Sequence, residues 1–303
     1  MGGDVDGLHH VGHLVRDLEQ AMERYRRLGF TVSEPACPVL PGMAEPFGLV
    51  NTHVYFPGAF IELVAVGRVP AGARPIPLRV PGDKLPGLVA AIRATAANIT
   101  AFLQRFEGLH IMILDTPDID AVAARLTGGG VVHGGVHDVQ RPVETATGTR
   151  MEPARYLEIS DPGLPPGRVP EGRVGFAQNA PVGDQRHPGH PNGATGLTGC
   201  VLCVADEALP EVERRYGGYF GRTAPGAAGV TVVPASALDG LLPGERPAAL
   251  PAFAAYTVSV RDVAATERFL RGNDVPLART GSGEIVVPSG AALGTAIVFR
   301  RHG

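Results

Sequence analysis

The hydrophobic pattern of the chain changes period several times. From Gly7 to Val15 apolar residues crowd a short run that carries three histidines. From Leu18 onward, Leu18, Ala21, Met22, Tyr25 and Leu28 recur at the three-and-four spacing of one helix face. A strand followed by a helix is predicted, with Asp17 as N-cap, Gln20 completing a capping-box pattern and Gly29 as the stop. A Pro-rich connection (Pro35, Pro38, Pro41, Pro46) leads to Asn51 to Phe56 and Ala59 to Val66, period-two runs on either side of Pro57-Gly58 that predict a hairpin. In AFIELVAV, residues Phe60, Glu62, Val64 and Val66 share a face, which makes Glu62 the only charge in an apolar strand.

The opening pattern then returns. Residues 67–85 read as a Pro/Gly/Arg-rich linker, and Leu85 to Phe106 as an amphipathic helix with Leu88, Ile92, Ile99 and Leu103 near one side. LHIMILDTPDIDAVAARLTGGG repeats strand, cap and helix with His110 and Asp118, and strands are predicted at Val131 to Val139, Arg155 to Ile159 and Val174 to Gln178. A third copy begins at Gly196 and continues into GVTVVP; a fourth, FAAYTVSVRDVAATERFLRGNDVP, continues into GEIVVP and TAIVFRR. Repetition at this scale decides the fold before any single motif does. One unit leaves a sheet face bare, whereas two units can curl around a common cavity with helices outside. The expected class is therefore α+β: four βαβββ units in two pseudo-symmetric halves, 1–180 and 194–303. The first half holds units at about 7–66 and 108–180, joined by the linker and helix of 67–107.

Composition narrows the function. Of 303 residues, 44% are hydrophobic and 19% charged, and the net charge is −3 with Lys84 the only lysine. That balance gives no footprint for nucleic acid, so a small-molecule partner is expected. The three cysteines cannot form a disulfide framework or zinc site, and Cys200 and Cys203, three apart in a strand, should point to opposite faces as core residues. The N-terminus lacks a basic and apolar leader and no run approaches a membrane span, so a cytoplasmic protein without a membrane partner is expected. The sequence is compatible with a homodimer. It contains neither a phosphate loop in strand-to-helix context nor a serine nucleophile elbow.

The four units, the stretch HHVGHLVRDLEQAMERYRRLGF and the strand FIELVAV together resemble the vicinal oxygen chelate superfamily, and within it the glyoxalase-like-domain branch. That superfamily is the group of glyoxalase I, extradiol ring-cleaving dioxygenases, fosfomycin-modifying enzymes and bleomycin-binding proteins. The resemblance covers nearly the whole chain. It implies metal ligands on the first and last strands of paired units: His10, seven residues before Asp17, and Glu62 in the first unit. In the second unit it implies His110, eight residues before Asp118, with Ile111 or Met112 under a one-residue shift, and then Gln178, with Glu158 as competitor.

His10, His110 and Glu62 are the residue types of a two-histidine, one-carboxylate site for one divalent ion (Fe, Mn, Ni or Zn), a Lewis acid for vicinal oxygens with Glu62 as the catalytic residue. His53, Gln178 and His190 are candidate pocket residues; His190 and Asn192 lie in RHPGHPNGATG, where Pro-Asn-Gly also reads as a tight turn. Alternation turns His9 and His13 away from His10, toward the helix or the surface. The positions equivalent to His10 in units three and four are about Gly199 and Ala255, so the C-terminal half reads as a degenerate structural copy. The implied function is a metal-dependent enzyme acting on a small oxygenated metabolite, by isomerase, lyase or Fe(II) dioxygenase chemistry. The alternative is a non-enzymatic small-molecule binding protein of the same fold.

Overall fold

The computed structural model describes residues 4–39, 48–77, 85–145, 148–179, 187–221 and 229–301. Strand β1 (Gly7–Leu14) leads to Asp17, whose carboxylate accepts the Gln20 amide at 3.0 Å and the Gln20 side-chain amide at 3.2 Å, starting α1 (Leu18–Arg27). Helix α1 buries Leu18, Ala21, Met22 and Tyr25, the face its spacing predicts. The unit is completed by β2 (Ala36–Val39), β3 (Leu49–Phe56) and β4 (Ala59–Val66). A short β5 (Arg74–Pro77) and α2 (Leu85–Arg105) follow. The second unit is β6 (Gly108–Asp115), α3 (Ile119–Gly128) capped by Asp118, β7 (His137–Thr145), β8 (Gly148–Glu158) and β9 (Arg173–Asn179).

All nine strands form one sheet in the order β5-β2-β3-β4-β1-β6-β9-β8-β7. The first strands of the two units, β1 and β6, pair antiparallel at the centre. Each is flanked in parallel by the last strand of its own unit. This two-fold arrangement curls both units around one face.

The C-terminal half begins with β10 (Ala194–Val204), α4 (Leu209–Phe220), β11 (Val230–Pro234) and α5 (Leu238–Leu241). It ends with β12 (Ala252–Val260), α6 (Val263–Gly272), β13 (Ala278–Arg279), β14 (Ile285–Val287) and β15 (Ala296–Arg301). Its sheet runs β11-β10-β12-β15-β14-β13. Here the third unit departs from the expected pattern. Strand β11 pairs parallel with β10, as β4 does with β1, so the unit keeps its first and last strands while α5 stands after the last.

Helices α1, α3, α4 and α6 lie between the two sheets. One core joins α1, α3, α4 and α6 to the inner faces of both, and aromatic residues such as Tyr25, Phe30, Tyr256 and Phe299 are fully buried in it. Each such side chain contributes about 1.5–3 kcal/mol by leaving water. Two polar ties cross this core. His13 donates from Nε2 to the Leu293 carbonyl at 2.7 Å, so its Nδ1 accepts from the Tyr25 hydroxyl at 3.0 Å, and that hydroxyl accepts from Tyr256 at 2.7 Å. Glu171, fully buried before β9, accepts from Tyr216 at 2.6 Å and Arg215 at 2.8 Å on α4. Cys200 belongs to the shared core and Cys203 to the opposite face, as their spacing predicts.

Helix α2 modifies the sequence expectation in two ways. By length and composition it is the one helix among the described residues that is long and apolar enough to cross a membrane, although the sequence suggested no such run. Its apolar side, Ile99, Phe102 and Leu103, packs on Leu14, Val64, Ile111 and Ile113, and so covers one end of the curled face of the nine-stranded sheet. The other end stays open.

Candidate functional site

Register fixes which side chains share the open face. His10 and Gly12 on β1 stand level with Phe60 and Glu62 on β4, and Glu62 and Phe60 stand opposite His53 and Tyr55 on β3. Residues level with each other in a ladder lie on the same face. His10, Glu62, His53, Phe60 and Tyr55 are therefore neighbours on adjacent strands. On the other side of β1, His10 is opposite Ile113 and Gly12 opposite Ile111.

Phe60 is the hub of this group. The His10 ring stacks on it at 4.4 Å, and His9 and His53 meet its edge at 5.4 and 5.3 Å. His9 belongs to the group because β1 bulges between Leu8 and His10, so that two successive side chains face the same way. The alternation argument that sent His9 away is corrected by this extra residue, which has no signature in the sequence. His13, in contrast, does lie on the helix side, within the shared core.

The two adjacent imidazoles face each other through Nδ1 atoms 2.7 Å apart. Asn179 at the end of β9 donates its side-chain amide to His9 Nε2. His9 therefore carries its proton on Nδ1 and donates it to His10, which keeps its own on Nε2. Both rings are neutral near pH 7: burial lowers His9 to about 4, helped by Arg141, and holds His10 well below the usual range, helped by His9, His53 and Arg173. Burial also lowers His53, against the pull of Glu62. Glu62 accepts from Asn51 at 2.7 Å and has His53 Nε2 at 3.9 Å.

A cavity of about 570 Å³ opens over these residues, with His9, His10, Phe60, Tyr156, Asn179 and Arg141 among its walls. It meets a second cavity of about 610 Å³ at His53 and Tyr55, lined also by Asn51, Cys37 and Arg74. None of Tyr55, Asn179, Arg141 and Tyr156 stood out in the sequence. Asn179, Arg141 and Tyr156 are ordinary strand residues until pairing of β7, β8 and β9 brings them to one wall, and Tyr55 joins through the pairing of β3 with β4.

Three sequence candidates lie elsewhere. His110 is fully buried, donates from Nε2 to the Phe106 carbonyl at 3.0 Å, and is held between Phe102 at 5.2 Å and Phe106 at 4.2 Å. Ile111, the neighbouring residue, stands on β6 opposite Gly12, where α2 covers it. Gln178 accepts from the Ile119 amide at 3.3 Å and donates to the Pro117 carbonyl at 2.6 Å, so it fastens the start of α3. His190 accepts from the Thr31 amide at 3.1 Å and donates to the Tyr55 carbonyl at 3.0 Å, a buried staple behind β3. Asn192 binds the Leu28 carbonyl at 2.9 Å and closes the turn after α1. Of the two candidates for the fourth ligand, Glu158 is on the curled face, level with Gly175, and is ion-paired with Arg173.

The donors present do not fit the implied metal centre. His10 and Glu62 share the face, but the second unit offers Ile111, Ile113 and Gly175 where further ligands would stand. No group of three His, Cys, Asp or Glu side chains among the described residues is arranged to hold a metal ion.

The profile of a glyoxalase-like domain matches residues 8–218. In fold, the chain is similar to a hypothetical protein from Staphylococcus aureus (TM-score 0.55, 11% identity, 97% of this chain and 99% of that one). It is also similar to a mutant of 4-hydroxymandelate synthase from Streptomyces coelicolor (TM-score 0.54, 12% identity, 100% and 95%). A fusion of a xylose isomerase-like TIM barrel with 4-hydroxyphenylpyruvate dioxygenase matches over 100% of this chain and 50% of its own (TM-score 0.53, 12% identity). Among curated proteins, none matches by sequence.

Proposed function

The chain belongs to the glyoxalase-like domain family, of vicinal oxygen chelate fold, and from that premise we propose that its N-terminal curled face binds a small oxygenated molecule without the family's metal centre. One observation carries this reading: imidazoles, aromatic rings, the Asn179 amide and Arg141 line the cavity, while His110 is turned into the core between Phe102 and Phe106. A pocket with apolar walls and a few fixed polar groups is the general form of a small-molecule site. His10, with its tautomer set by His9 and Asn179, supplies a fixed N–H donor. Phe60 and Tyr55 supply flat apolar surface, and the bulge holds both histidines over it.

The metal-dependent reading, with isomerase, lyase or dioxygenase chemistry, retains one supporting observation, the shared face of His10 and Glu62 on neighbouring strands. Metal analysis of protein purified without chelator, beside the His10→Ala, Glu62→Ala double variant, separates the two. Equal, substoichiometric metal in both is expected. Stoichiometric metal that the double variant loses would overturn metal-free binding. A thermal-shift panel of small aromatic aldehydes, ketones and amides completes the test: some members should raise Tm in the natural protein and none in Phe60→Ala.

A further inference from the structure

We propose that the ligand is a small aromatic monocarboxylic acid, anchored by its carboxylate to Arg141; the proposal rests on the binding function above and adds the ligand's charge and orientation. Strand β7 places Val139 opposite Ala154 and Arg141 opposite Glu152, and Val139, Ala154 and Arg141 all line the cavity. The Arg141 Nε is buried without a hydrogen-bond partner among the described residues. A buried guanidinium N–H left unmatched is costly, and a carboxylate with its two oxygens is the group that fits the fork.

The neighbouring charges are already committed. Arg155 binds Asp120 at 2.7 Å and Asp138 at 3.2 Å. Arg173 is paired with Glu158, and Glu152, across the ladder from Arg141, is taken by Arg150. Glu62 is held by Asn51 and lines neither cavity. Arg141, which feels Glu152 but keeps its Nε unmatched among the described residues, is a single guanidinium in the cavity wall, and one guanidinium matches a monoanion better than a phosphate dianion. Asp115 is the one carboxylate of the lining, and it sits three strands from β7, where it also borders a second opening beside Asp6. The acid's charged end therefore belongs at Arg141, near Asn179 and His9, and its ring against Phe60, Tyr55 and Tyr156.

Calorimetric titration with benzoate, phenylacetate and 3-phenylpropionate, each beside its carboxamide and beside phenyl phosphate, tests this at pH 7. The best acid should bind at least about tenfold tighter than its amide, the difference one charge-assisted anchor provides. Arg141→Gln should reduce that ratio to about one through loss of acid affinity, and Arg141→Lys should restore part of it. Equal affinity for acid and amide in the natural protein would overturn the proposal, as would an acid preference that survives Arg141→Gln or a preference for phenyl phosphate. Amide binding without acid preference sinks the carboxylate anchor and spares the binding function. If neither acids nor amides bind and the neutral panel gives no Tm shift in the natural protein, both fall together.

Discussion

The curled faces of the two sheets have opposite contents. On the N-terminal sheet, α2 covers only the end formed by Leu14, Val64, Ile111 and Ile113, and the end with His10, His53 and Phe60 stays open. On the C-terminal sheet, Val201, Cys203, Ala296 and Val298 occupy the face, and Leu238 and Leu242 of the α5 segment pack into it. A face with apolar side chains closes on itself once a short helix reaches it, because burial is favourable and nothing polar resists. A face with imidazoles, an amide-bound carboxylate and amides resists such filling, since each polar group would need a partner. The C-terminal face is thereby filled down to a cavity of about 270 Å³ beside Leu242, Thr257 and Glu284, and the N-terminal face keeps the larger opening.

The widest separation between the halves should come from removing a filling residue. Leu242→Ala is expected to cost about 2–5 kcal/mol in urea unfolding, because Leu242 is 1% exposed and the space it leaves has no other occupant. His53→Ala, on the open face, should cost less than about 1 kcal/mol. Similar costs for both would mean that the N-terminal face is packed rather than open.

Acid should separate the halves next. His9, His13 and His110, all in the N-terminal half, are lowered to about 4, chiefly by burial. Their unfolded values lie near 6.5, so the unfolded chain binds protons first as pH falls, and stability is lost from about pH 6.5 down toward pH 4. His13 alone should account for about 2 kcal/mol between pH 7 and pH 5. The C-terminal strands carry no histidine in the described residues. Hydrogen exchange at pH 5 should therefore show protection lost first in β1 and β6; uniform loss in both sheets would contradict the assignment.

The smallest effect concerns what the units still share. Asp17→Ala removes the cap of α1 and should cost about 1 kcal/mol. Helix α4 of the third unit has no side-chain cap hydrogen bond, so Ala208→Asp there should stabilise or be neutral. A large loss from that change would show that α4 starts under a constraint the other helices lack.

Much of this was legible in the chain. The caps at Asp17 and Asp118, the hairpin at Pro57-Gly58 and the opposed Cys200 and Cys203 depend on spacing along one strand or helix, and spacing is a property of sequence. His10 and Glu62 on one face followed from the same kind of reasoning. His110 did not, because a shift of one residue in β6 exchanges the two faces of a strand and sequence alone leaves that shift open. Gln178 and His190 were drawn by backbone partners at a helix start and behind β3, which only the packed chain supplies. His9 entered the site through a bulge, and Arg141, more than a hundred residues from His9 in sequence, through its place on the β7–β8 hairpin. The sequence by itself determined the strand-cap-helix starts at Asp17 and Asp118, since those rest on local periodicity and capping. Tertiary structure decided which side chains meet, because register, bulges and the covering helix α2 are settled by packing between distant segments.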